Sequence, residues 1–181
     1  MLFRSAPEPR YVAPTLRDRI GRIWAPVTLD GKGPLRLVLD TGASRSALTP
    51  AALAKLGITP DFDRTVMLRG TTGSARVPTV RVGRVEIGDL LAERQTMVVV
   101  DDAFGGADGV LATTTLRDRR ILADFRRDRI EIVRSGGQRA PSGFNTLPIK
   151  LLERHVPWVD AIVGNVRVKA VIDTGSQQTL G

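Results

Sequence analysis

Two aspartates in this chain sit in the same short setting. Leu37-Val38-Leu39-Asp40-Thr41-Gly42-Ala43-Ser44 and Ala170-Val171-Ile172-Asp173-Thr174-Gly175-Ser176 each run an apolar strand into Asp-Thr-Gly. Two carboxylates brought together can do acid–base work. At hydrogen-bond distance they cannot both ionise, so one pKa rises and the other falls. The ionised member takes a proton from water while the protonated member polarises a scissile carbonyl, which is what hydrolysis of a peptide bond requires. The flanking residue types suit such a site. Glycine after the threonine lets the backbone turn tightly and approach the pair, and threonine and serine offer hydroxyl or backbone hydrogen bonds to hold the carboxylates in plane. Asp40 and Asp173 are therefore the candidate catalytic pair. Thr41, Gly42, Ala43, Ser44, Thr174, Gly175 and Ser176 form the supporting loops.

Other chemistry finds little to build on. The chain has no cysteine, which excludes disulfide frameworks, thiol catalysis and cysteine-type zinc sites. Its one histidine, His155, beside Pro157 and Trp158, reads as a surface or strand-edge residue. No serine lies in a nucleophile-elbow pattern. Gly31-Lys32-Gly33 and Gly105-Gly106 lack the rest of a phosphate loop and read as turns. Asp101-Asp102 with Asp108 matches no calcium-loop spacing and reads as a solvated loop. No metal and no cofactor are implied. The net charge of +8 comes from 23 arginines against 4 lysines. Many arginines alternate with apolar residues, as in Val80-Arg81-Val82 and Arg129-Ile130-Glu131-Ile132, the pattern of a strand's wet face. Arg117-Asp118-Arg119-Arg120 and Arg126-Arg127-Asp128-Arg129 carry balancing aspartates and no interleaved aromatics, so no nucleic-acid partner is expected.

The elements that must position the two aspartates are mainly strands. Hydrophobic residues make up 42% of the 181 but aromatics only 4%, so the core rests on Val, Leu, Ile and Ala, which favours pleated surfaces. Residues 1–20 read as a mobile arm. Strands are expected at Ile23–Leu29 and Leu35–Leu39, the second apolar enough to be buried on both faces. A helix follows over Ala51–Leu56, with Thr49 as cap, Pro50 in the first turn and Gly57 as terminator. Strands at Arg64–Arg69 and Ala75–Val82 flank Gly70-Thr71-Thr72-Gly73-Ser74, a small, polar tip that suits a mobile flap. Further strands are expected at Arg84–Ile87, Gln95–Val100, Ile121–Phe125 and Ile130–Val133. Residues 135–143 read as a linker. Beyond it the pattern begins again: Trp158–Val163, Gly164-Asn165 and Val166–Ile172 lead to Asp173 as Trp24 onward leads to Asp40, shorter by one residue. This is an internal repeat with its aspartates 133 residues apart. Strand content and turn spacing point to a closed or sandwiched β domain. No apolar run approaches the roughly 18 residues of a membrane span, and Met1-Leu2-Phe3-Arg4-Ser5-Ala6-Pro7 lacks the apolar stretch of a secretory signal.

On these residues the chain resembles the retropepsin-like, pepsin-related aspartic proteases, in particular their bacterial aspartyl protease relatives. The resemblance is carried by Asp40 to Ser44, the Thr49-Pro50 helix start, the Gly70 to Ser74 hairpin, Gly109-Val110-Leu111-Ala112 and Ile121-Leu122-Ala123-Asp124-Phe125. It implies a mainly β, closed acid-protease barrel with one short helix over residues 21–134, and the incomplete start of a similar lobe over 144–181. It also implies one catalytic aspartate from each lobe, Asp40 and Asp173, with Thr41 and Thr174 bracing the two loops. Gly70, Thr71, Thr72, Gly73 and Ser74 would form the flap over an extended polypeptide substrate. Two departures stand out. Val110-Leu111-Ala112, expected as the loop beneath the site, ends in Ala where the family has Gly, and the added methyl is expected to crowd that loop. The second lobe also has no counterpart of the first lobe's flap and closing strands. The implied function is aspartic-type endopeptidase. A catalytically silent peptide-binding module and a homodimer offering Asp40 twice remain as alternatives.

Overall fold

The computed structural model describes residues 10–14, 16–17, 21–70, 73–101, 105–124, 126–127, 129–137, 139–152 and 155–176. Thr71 and Thr72 of the expected flap tip lie outside them. The first strands are β1 (Arg10–Pro14), β2 (Leu16–Arg17), β3 (Ile23–Leu29), β4 (Lys32–Asp40) and β5 (Ala47–Leu48), followed by the helix α1 (Pro50–Leu56). Then come β6 (Asp61–Gly70), β7 (Gly73–Ile87), β8 (Leu90–Val99), β9 (Gly109–Ala112), β10 (Arg119–Asp124) and β11 (Arg129–Arg134). The last three are β12 (Lys150–Leu152), β13 (Val156–Val163) and β14 (Val166–Val171). The chain is mainly β with one short helix, consistent with an acid-protease-like barrel lobe.

An eight-stranded sheet runs in the order β2-β3-β4-β9-β5-β8-β7-β6, and a further pairing of β3 with β7 closes it on itself. Alternation sets the core. Ile23, Ala25, Val27 and Leu29 of β3 point inward with their neighbours more exposed. In β4 the run Leu37-Val38-Leu39 is buried throughout because both faces of that strand are covered. Leu37 and Leu39 join the main core, whereas Val38 joins Ala47, Val98 and Val110 in a smaller cluster. α1 docks through Ala52, Leu53 and Leu56. Its ends are capped as the sequence suggests: the Ala52 N–H donates to Thr49 Oγ1 at 3.1 Å, and Gly57 turns the chain at φ 64°.

The element leading to Asp40 is tied down from both sides. β4 pairs in parallel with β9, setting Asp40 opposite Ala112. Val110, Leu111 and Ala112 therefore form a strand rather than the expected loop, because β4 and β5 offer ladder partners on either side. The Ala112 methyl is accommodated; the residue is buried and its N–H donates to Ser46 Oγ at 2.9 Å. The glycine that sterics demand here is Gly109, where a Cβ would run into the Ala47 carbonyl oxygen. Asp108, just before it, fastens the neighbouring turn. Its carboxylate accepts from the Arg36 N–H at 2.8 Å and the Lys55 ammonium at 2.6 Å. Burial alone would raise its pKa, but the Arg36 N–H, the Lys55 ammonium and the Arg36 guanidinium together hold it below 3.8.

Two other expectations change. Part of the expected N-terminal arm is ordered into strands: β1 pairs with β11, and β2 with β3 through Leu16 and Arg17. The strands expected at Ala75–Val82 and Arg84–Ile87 are one strand, β7. Gly83 lies inside it because the Asp30 carboxylate accepts the N–H groups of Gly83 and Arg84, at 3.2 and 2.7 Å. After residues 135–143, β12, β13 and β14 form a separate antiparallel sheet. No described residue from 139 to 176 is buried, and Ile162, Val163 and Val166 are each more than 60% exposed.

Candidate active site

Asp40 ends β4 and Asp173 follows β14, so each aspartate leaves a strand directly into its Thr-Gly turn. The turn geometry is the same twice. Asp40 Oδ1 accepts the N–H groups of Gly42 and Ala43 at 2.8 and 2.9 Å. Asp173 Oδ1 accepts those of Gly175 and Ser176 at 2.8 and 3.2 Å. Of the hydroxyl or backbone bonds that the residue types offered, the carboxylates are held by backbone N–H groups, that of Ser176 among them.

The hydroxyls reach across instead. Thr41 Oγ1 donates to the Ile172 carbonyl at 2.5 Å and accepts the Thr174 N–H at 3.0 Å. Thr174 Oγ1 donates to the Leu39 carbonyl at 2.7 Å and accepts the Thr41 N–H at 3.2 Å. These four bonds repeat under a pseudo-two-fold operation and join two loops whose strands belong to separate sheets. The two glycines complete the closeness. A Cβ on Gly42 would strike the Asp173 carboxyl, and one on Gly175 would strike that of Asp40. Only hydrogen fits at either place.

The two carboxylates differ in their surroundings. Asp40 is half-buried in the complete barrel, and Asp173 is exposed at the end of the thin sheet. Burial first, then the facing charge of Asp173 and a hydrogen bond shared with it, raise Asp40 from 3.8 to about 6. The Ala43 and Gly42 N–H groups pull the other way and are outweighed.

A cleft of about 680 Å³ opens beside Asp40. Ala47, Val98, Val100 and Val110 give it an apolar floor, and Leu68 to Gly70 with Gly73 to Ala75 line it from the β6–β7 hairpin. A second cleft of about 640 Å³ shares Gly42, Ser44, Arg45, Leu68 and Arg69 with the first. It continues past Gln95 and Thr96 to Leu152, His155 and Val156 of the second sheet. Gly70, Gly73 and Ser74 thus stand over the cleft containing Asp40, and Ser44 lines both clefts. Among the described residues, no group of three or more His, Asp or Glu side chains could hold a metal ion.

Residues 25–117 match the model of the aspartyl protease family. That span is just over half the chain and runs from β3 through Asp40, the β6–β7 hairpin and β9. The chain belongs to the aspartyl protease family. The match stops short of Asp173, and no curated protein matches the chain. As an aspartyl protease, it has cleft walls that the sequence did not mark, Arg45, Leu68, Arg69, Val98 and Val100, and His155, expected at the surface or a strand edge, lines the second cleft. The alternation of half-buried Val66 and Leu68 along β6 was the one available signal, since it marks the inward face of the hairpin.

Proposed function

We propose that this aspartyl protease hydrolyses internal bonds of an extended polypeptide by means of a water held between Asp40 and Asp173. The observation that carries this reading is the reciprocal Thr41–Thr174 bonding, which sets two identically turned carboxylates face to face. In this reading residues 21–134 are the first lobe and 135–143 a linker, while 144–181 belongs to a second, retropepsin-like lobe. Asp40, whose proton persists to about pH 6, donates it to the scissile carbonyl oxygen. Water adds to the carbonyl carbon as its own proton passes to Asp173. Asp173 then passes that proton to the amide nitrogen while a hydroxyl of the tetrahedral diol returns its proton to Asp40, so the C–N bond breaks, an amine and a carboxylic acid leave, and the pair is restored. The apolar floor takes the side chain next to the scissile bond, and the hairpin covers it from water.

The sign of the pH dependence follows from Asp40. Its protonated form is the active one, so the rate falls as pH rises through about 6. A peptide library followed by mass spectrometry should show internal cleavage at mildly acidic pH, with rates dropping roughly tenfold per unit well above pH 6. Rates that hold level or climb to pH 8 contradict the assignment.

A further inference from the structure

The cleft has an electrostatic character that bears on substrate choice and rests on the peptidase reading above. Arg45 and Arg69 both line both clefts, at the residues where the two meet. Both are exposed, and neither guanidinium has a hydrogen-bond or ion-pair partner among the described residues. Other exposed arginines, such as Arg76, Arg81 and Arg94, are likewise unpaired, but these two stand at the clefts while five others are held by carboxylates. Arg64 pairs with Asp61 at 3.2 Å, Arg127 with Asp124 at 3.4 Å and Arg129 with Glu131 at 3.2 Å, and Arg36 and Arg84 also lie beside carboxylates. Among the described residues, Asp40 is the only carboxylate that lines either cleft, and it belongs to the candidate pair. The charge is therefore left for a ligand.

We infer that the groove selects peptides carrying glutamate or aspartate within one or two residues of the scissile bond, with Arg45 and Arg69 as the specificity-determining side chains. The apolar floor of Val98, Val100 and Val110 suits the residue at the bond itself, so the acid falls on its neighbours. Successive residues of an extended peptide advance about 3.3 Å, which keeps those neighbours within reach of arginine side chains on both walls. A guanidinium meets a carboxylate by paired, charge-assisted hydrogen bonds. A lysine or arginine of the peptide in the same place meets like charge, which adds discrimination. The net charge of +8 acts in the same direction at longer range.

The test measures binding separately from cleavage. Fluorescent decapeptides with an apolar pair at the centre and either Glu or Gln at the flanking positions are titrated against the Asp40→Asn chain by anisotropy. Exposed pairs of this kind give an expected preference for the Glu peptides of about five- to tenfold, shrinking as salt is raised to 0.5 M. Adding Arg45→Gln and Arg69→Gln should bring the ratio to about one, while Arg139→Gln in the linker should leave it in place. A ratio near one in the parent, or one that survives the double substitution, overturns the inference. Cleavage is then read with Asp40 intact. Failure to cut any peptide while the binding ratio holds counts against the peptidase reading and supports the charge selectivity on its own.

Discussion

Replacing Asp40 with Asn is expected to lower kcat/KM for peptide cleavage by roughly a thousandfold, the scale of a lost general acid. The substitution is close to isosteric. The amide oxygen of Asn can still accept the Gly42 and Ala43 N–H groups that Oδ1 accepts now, so the turn keeps its shape. What it lacks is a proton to give. The same variant should be more stable than the parent at neutral pH. A carboxyl whose pKa is about 6 folded and 3.8 unfolded contributes stability that is fully present below 3.8 and lost as pH rises through about 6. At pH 7 the ionised Asp40 therefore costs the fold on the order of 1–3 kcal/mol, and Asn relieves that cost. Urea denaturation of parent and variant at pH 3 and pH 7 reads it directly. The two curves should nearly coincide at pH 3 and separate at pH 7. Equal stability at both pH values would remove the argument that Asp40 is held in an unfavourable charged state.

Gly42→Ala is expected to cost about a hundredfold in kcat/KM while leaving the barrel folded. The added methyl would lie 2.6 and 2.8 Å from the Asp173 carboxylate oxygens, so one loop must move. A displacement near 1 Å at reacting groups costs about that factor. Gly175→Ala should behave in the same way, because its Cβ would meet the Asp40 carboxyl in mirror fashion. The core made by Ile23, Leu37, Leu39 and Leu111 lies elsewhere, so the stability loss should stay within the roughly 1–3 kcal/mol of local overpacking. Activity and denaturation measured together separate the two effects. A Gly42→Ala chain that cuts peptides at the parent rate would mean that the two loops do not approach this closely in solution.

These outcomes also show which parts of the molecule a sequence can reveal. The helix was legible because its signals are local: Thr49, Pro50 and Gly57 act on their own few residues. The strand into Asp40 was legible because burial on both faces demands an unbroken apolar run. The two-residue strand β5 was not, since it exists only through partners far along the chain, β8 in parallel and β9 antiparallel. The same pairing carries Val98 and Val100 beneath the cleft, which no local pattern could announce. Gly83 read as a break because the carboxylate that receives its N–H, on Asp30, lies 53 residues away. The orientation of the two candidate carboxylates was legible only as a choice between hydroxyl and backbone bonds, because every residue but proline has an N–H to offer.

In the proposed mechanism Asp40 and Asp173 of one chain act as a pair. That pairing is tested most directly by Asp173→Asn with Asp40 left in place, assayed over a range of protein concentrations. Cleavage is expected to be as low as in the Asp40→Asn chain at every concentration. Activity that persists in Asp173→Asn and rises with the square of protein concentration would contradict it, and would assign the chemistry to two copies of Asp40.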